Sequence, residues 1–280
     1  MKNILVYVDG SPGSGTALKG AVRIASDFDA KLTGFYVIPD FTIVAAVPEG
    51  AMMSEQLLAD MRGNAEKKAA AAETLFRDET GTSSKKSDWV CLDATLRGTR
   101  DAAASLAFYS DLTVIAQYDD ETPADNDASL PQDLVVDSGR PIILLPKTAD
   151  TAGFGKHVMI AWKESCEAAR AVSDALPFLS RAETVTVMTV AKQDKTEDAE
   201  AVLEKIKQLL GDHGIKPVPE AVAAKDGEST SATMFAHAHR SGADMLVAGA
   251  YSHSRWREGL FGGVTKSIFD SVPIPTLLSH

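Results

Sequence analysis

Cysteine is scarce in this chain, and so are long apolar runs and excess basic charge. Cys91 and Cys166 lie too far apart in sequence to read as a disulfide framework, so two free thiols and a reducing compartment are expected. No apolar run approaches the roughly 20 residues that span a bilayer. The opening Met1 to Asp9 breaks its apolar stretch at Asp9 and lacks a signal peptide's cleavage region, which makes the cytoplasm the expected location. Twenty-eight basic residues face 39 acidic ones, a formal charge of -11, so the mean field repels nucleic acid and anionic membrane surfaces. Neither is an expected partner, and any polyanion must be held locally. No G-x-G-x-x-G follows a strand, and Thr265-Lys266-Ser267 lacks the glycines of a Walker A ending, so a Rossmann dinucleotide site and a P-loop are set aside.

What is present suffices for a folded core: 280 residues, 45% hydrophobic and 24% charged. The chain also repeats itself once. Ile4 to Asp9 reads as a buried strand, followed by Ser11 as helix cap and Pro12 at the first helical position, with a helix over 14–27. The same grammar returns in Lys156 to Ser165, with Glu167 to Leu179 at helical spacing. Ser110 to Ala116 matches Ala243 to Gly249, and Arg140 to Leu145 matches Ile274 to Leu278. Lys31 to Ile38 and Thr184 to Val190 read as second strands, Trp89 to Ala94 and Pro217 to Ala223 as third strands. Met53 to Asp78 and Asp198 to Leu210 read as helices. Strands alternating with helices, twice over, predict an α/β protein of two tandem doubly wound parallel-sheet domains. The boundary falls near Lys147 to Gly155, giving domains 1–150 and 151–280.

With Ile4-Leu5-Val6-Tyr7-Val8-Asp9-Gly10-Ser11 as first strand and turn, and Gly249 to Arg255 through Gly262 to Thr265 as a loop, the chain resembles the universal stress protein family over nearly its whole length. The family's phosphate loop has a glycine, two residues, a second glycine, nine residues, then glycine and a hydroxyl residue. Gly249 and Gly262 keep its separation, whereas Ser252 and Gly263 depart from its identities. The resemblance implies an adenine nucleotide alpha hydrolase-like fold with a five-stranded sheet per domain. It further implies ATP or AMP, with or without Mg, as a ligand in some members, and dimer-like contact between domains, made within one chain or between two chains of a homodimer.

Chemistry read from the residues points the same way. A strand ending at Gly249 and a helix starting near Gly263 place backbone N–H groups at the C-terminal edge of a parallel sheet, where α/β proteins bind ligands. Glycines let the backbone approach a phosphate, and the helix N-terminus attracts negative charge. The candidate nucleotide site in the second half is Ala161, Trp162, Lys163, Val190, Gly249, His253, Ser254, Arg255, Gly262, Gly263, Val264 and Thr265. Arg255 could donate two parallel hydrogen bonds to a phosphate; the bland alternative is a glycine-rich turn with a solvated arginine. Trp162 could border a base or be core. Lys163 stands where the first half keeps Asp9, an acid that lines the nucleotide pocket in the family, and could reach a phosphate or snorkel to water.

The first half serves as an internal control. Ala116 replaces Gly249, Asp119 and Asp120 replace Ser252 and His253, Thr122 replaces Arg255, and Ser129-Leu130 replace Gly262-Gly263. Asp119, Asp120 and Glu121 would face any phosphate, so no triphosphate site is expected in residues 1–150. His237 and His239, two apart on a helix, do not form a zinc pair and read as surface residues. No metal site is expected, and the acidic run 119–127 reads as a solvated loop. The leading function is a nucleotide-responsive stress protein without catalytic residues. The alternatives are a slow ATPase or phosphotransfer enzyme, for which that half offers no clear water-activating carboxylate, and a ligand-free interaction module.

Overall fold

The computed structural model describes residues 1–41, 54–81, 86–95, 97–118, 128–147, 153–191, 196–224, 227–251 and 263–280. The chain divides into two compact units, Met1–Thr148 and Ala149–His280. The first runs β1 (Asn3–Tyr7), α1 (Pro12–Phe28), β2 (Lys31–Ile38), α2 (Glu55–Thr80), β3 (Ser87–Asp93), α3 (Gly98–Ala107), β4 (Leu112–Ala116), α4 (Leu130–Asp137) and β5 (Ile142–Leu145). The second runs β6 (His157–Ala161), α5 (Cys166–Leu179), β7 (Thr184–Ala191), α6 (Thr196–Asp212), β8 (Val218–Ala223), α7 (Thr230–Ser241), β9 (Met245–Gly249), α8 (Gly263–Asp270) and β10 (Thr276–Ser279). The first unit orders its strands β3-β2-β1-β4-β5 and the second β8-β7-β6-β9-β10. Every pairing named between neighbours within a unit is parallel. The α/β doubly wound class and the five-stranded sheets expected from the sequence are thus present.

The registers superpose the repeat residue by residue. Ile4 pairs with Leu112 in the first unit as Val158 pairs with Met245 in the second. Strands sandwiched between helices are apolar throughout: Ile4 to Val8 and Ile142 to Leu145 are buried, as are Val158 to Ile160 and Met245 to Ala248. In α2 the small residues Ala65, Ala69 and Ala72 lie on the buried face with Phe76. That helix sits so close to β2 that a Cβ on Gly34 would lie 2.4 Å from the Phe76 ring and 2.8 Å from Trp89.

Two polar devices recur in both units. Ser11 caps α1 by accepting from Ser14 N at 3.2 Å, and Ser165 caps α5 by accepting from Ala168 N at 3.2 Å. An aspartate just before the fourth strand of each unit anchors the entry to its first strand. Asp111 accepts from the backbone N–H groups of Lys2 and Asn3; Asp244 accepts from Gly155, Lys156 and His157 at 2.8, 3.2 and 3.1 Å. Burial pushes the Asp111 carboxyl up, but the two N–H donors and the amino terminus outweigh it and hold the group below its ordinary value. No helix among the described residues is long and apolar enough to cross a membrane.

Candidate functional site

In the second unit the strand order turns back between β6 and β9, because α5 and α8 leave the sheet on connections that run to opposite sides. At such a switch point the strand ends diverge and leave a crevice. A cleft of about 750 Å³ occupies that position, lined by Ala161 and Trp162 at the end of β6, Met188 to Val190 on β7, and Ala248 and Gly249 on β9. Three helix N-termini complete it: Ser165, Glu167 and Ala168 from α5, Ser229 to Ser231 from α7, and Gly263 to Thr265 from α8. First-turn N–H groups have no intrahelical acceptor and carry the positive end of the helix dipole, so the walls favour an anion.

The start of α8 is open. Gly263 is exposed, and a Cβ built on it meets nothing within 4 Å among the described residues. Thr265 is buried, and its Oγ1 accepts from Tyr251 N at 3.3 Å, which ties the helix to the strand exit. Tyr251 itself holds φ at +55°, a left-handed conformation that a bulky residue seldom adopts, with its ring stacked on Phe269 at 5.9 Å. Strain of this kind costs on the order of 1–3 kcal/mol and persists where surrounding contacts fix it.

Of the twelve positions named from the sequence, Ala161, Trp162, Lys163, Val190, Gly249, Gly263, Val264 and Thr265 all line this one cleft. His253, Ser254, Arg255 and Gly262 lie outside the described residues, as do Ser252 of the loop pattern and Asp119 to Thr122 of the first-half comparison. Trp162 is half-buried, and its indole N–H is buried without a hydrogen-bond acceptor among the described residues. A buried donor left so costs about 1–3 kcal/mol until an acceptor arrives. Lys163 is exposed at the rim. His239 is exposed as expected; His237 instead is half-buried, its Nε2 2.5 Å from Glu220 Oε2. Among the described residues no group of three or more His, Cys, Asp or Glu side chains could hold a metal.

Gly249 has a role the loop pattern did not suggest. A Cβ there would lie 2.6 Å from Ala168 N, 2.6 Å from the Glu167 carbonyl carbon and 2.9 Å from Glu167 Cβ, so the glycine lets β9 touch the first turn of α5. Sequence reasoning missed Glu167, which is 4% exposed and lines the cleft. It is the one buried carboxylate among the described residues. The signal was present as a reciprocal exchange: the first unit has Gly13 and Ala116 where the second has Glu167 and Gly249. A Cβ on Gly13 would come within 3.2 Å of Ala116 Cβ. Each crossing of helix and strand has room for one side chain, and the second unit gives that room to a carboxylate.

The corresponding helix start in the first unit is closed. Leu130 takes the place of Gly263 and is 2% exposed. Pro131, in place of Val264, has no N–H to offer, and the hydroxyl of Ser129 bonds to Asp133 Oδ2 at 2.7 Å. Arg100 of α3 grips Asp137 with two hydrogen bonds and lies 3.7 Å from Asp133.

Residues 1–96 match the family model described as the universal stress protein family. Among solved structures, a universal stress protein from Archaeoglobus fulgidus is similar with a TM-score of 0.65 at 13% identity, covering 99% of this chain and 95% of that one. A functionally unknown protein from Pseudomonas aeruginosa PAO1 gives 0.61 at 16% identity, covering 100% and 92%. A putative universal stress protein from Pseudomonas aeruginosa UCBPP-PA14 gives 0.61 at 15%, covering 100% and 93%. These likenesses establish the fold, and with the family match they uphold the resemblance read from the sequence. No curated protein sequence matches.

Proposed function

We propose that this chain, whose residues 1–96 match the universal stress protein family model and whose whole length takes the fold of solved members, binds one adenine nucleotide, ATP or AMP, in the cleft of its second domain. Occupancy of the cleft regulates contacts between domains or with a partner in a stress response, and the reading requires no catalytic residue. What supports it is the open start of α8 at the switch point, where Gly263 leaves space for a ligand and two further helix N-termini face the same cleft. The indole N–H of Trp162, which has no acceptor among the described residues, adds a donor to one wall. The first domain offers a buried leucine and a proline at the same place, so the proposal assigns it no phosphate site.

Calorimetric titration with ATP and AMP tests this reading. Binding without turnover is the expected result, and Gly263→Asp should abolish it while leaving the melting temperature within about a degree, because a Cβ at this exposed position meets nothing within 4 Å among the described residues. Indifference of the unaltered protein to both nucleotides would overturn the reading; multiple turnover would make the protein a hydrolase instead.

A further inference from the structure

We infer that Trp162 reads the base of the bound nucleotide: its indole turns toward the ligand and donates its N–H to a ring nitrogen of the purine. This rests on the nucleotide reading above and names the part of the ligand that the β6 end of the cleft recognises. The observation that carries it is an orphaned donor. The Trp162 indole N–H is shielded from water and has no acceptor among the described residues, while the residue itself is half-buried and lines the cleft. An indole nitrogen only donates, so no other pairing relieves it. In the empty cleft two losses oppose each other. Turned inward, the ring keeps apolar area from water but leaves its N–H unpaired; turned outward, the N–H reaches water and the ring gives up that burial. The two losses are of the same order, so the side chain is poised between them. A flat base carrying an acceptor removes both, because it covers the ring and pairs the N–H.

The order of the walls brings the base to Trp162. The backbone N–H of Trp162 donates to Met188 O at 2.7 Å, which seats the residue where β6 meets the wall formed by Met188 to Val190. That wall belongs to β7, two strands or about 10 Å from β9. The reading above puts the phosphate at the start of α8, which follows β9. The base therefore lies on the β6 and β7 side, where Met188 and Val190 offer apolar side chains, and the acceptors a purine presents there are its ring nitrogens. In the first unit the same backbone bond runs from Val8 N to Phe35 O at 3.0 Å, and Val8 is a fully buried side chain with no donor. The exchange of valine for tryptophan gives a donor to one crevice alone.

The test is calorimetric titration of the full chain with ATP and its 1-deaza, 3-deaza and 7-deaza analogues, each of which replaces one ring nitrogen by a C–H group, before and after Trp162→Phe. In the unaltered protein one analogue should bind about tenfold more weakly than ATP, the worth of a buried hydrogen bond. Trp162→Phe keeps an aromatic ring without the donor, so it should weaken ATP by a similar factor and close the gap to that analogue. The indole N–H resonance of Trp162, assigned by its loss in the variant, should move downfield with ATP and stay in place with that analogue. Equal binding of ATP and all three analogues overturns the inference while leaving the nucleotide reading intact, and needs no variant. A gap that survives Trp162→Phe, parallel weakening of all four ligands, or an indole resonance indifferent to ATP also overturns it. If ATP does not bind the unaltered protein, the nucleotide reading and this inference fall together.

Discussion

The two domains solve one packing problem in opposite ways. Where the first helix crosses the fourth strand, the first domain puts glycine on the helix, Gly13, and alanine on the strand, Ala116. The second puts glycine on the strand, Gly249, and a glutamate on the helix, Glu167. The backbones approach alike, yet only the second arrangement places a side chain of the helix's first turn, that of Glu167, at the crossing. The fourth helices differ in the same spirit: Leu130 and Pro131 seal one start, while Gly263 leaves the other open. A duplicated fold can therefore keep its architecture in both halves while the equivalent helix starts differ.

Gly249→Ala should break this comparison most severely. The added methyl group meets backbone atoms that cannot rotate away, so we expect a loss of about 1–3 kcal/mol, read as a fall in the second domain's melting temperature. Adding Glu167→Gly should not restore stability fully, because Ala168 N and the Glu167 carbonyl carbon remain in the way, but should recover part of it through lost Cβ contact; the double-mutant cycle reads that coupling. Next in size are the strand anchors. Asp244→Asn removes a charged acceptor from three N–H groups and Asp111→Asn from two, so the first should cost more, about 1.5–3 kcal/mol by denaturant titration. The cap variants Ser165→Ala and Ser11→Ala should cost about 1 kcal/mol each, equally in the two domains, because the caps have the same 3.2 Å geometry.

The smallest effect concerns a pair in the first domain. Hydrogen bonding from the Arg62 guanidinium, then from Thr95, lowers the Asp93 carboxyl to about 2. The folded value lies below the unfolded one of about 3.9, so the pair stabilises above that value and its contribution is lost as pH falls towards 2. Both side chains are more than two-fifths exposed, and solvent screening holds the effect below about 1 kcal/mol. Arg62→Ala should therefore lower stability at pH 7 by less than about 1 kcal/mol, leave it nearly unchanged near pH 2, and so flatten the acid limb slightly.

Much of this was legible in the residues. β2 runs Lys31–Ile38 as read, because a continuous apolar run between turn signals suits a strand covered on both faces. Both serine caps were visible from Ser11-Pro12 and from the return of the pattern at Ser165. Helix ends were less sharp: α2 begins after Ser54, whose side chain accepts from Leu57 N, so its helix starts at Glu55 and runs on to Thr80. The strand ends and the helix start that line the cleft were also foreseeable from their order. Glu167 was not, because a glutamate in a helix's first turn is ordinary by the dipole argument, and only the fold shows that turn packed against Gly249. Ser229 to Ser231 escaped for a similar reason: a cap sequence announces a helix, and the convergence of that helix with two others is a property of the sheet.

Hydrogen–deuterium exchange with and without ATP tests the central claim most directly, because it reports each domain separately. The account predicts that nucleotide slows exchange at the end of β9 and across the first turn of α8, and leaves Gln117, Tyr118 and the start of α4 unchanged. Protection at the first domain's strand end and helix start, with none at Gly263 to Thr265, would contradict it.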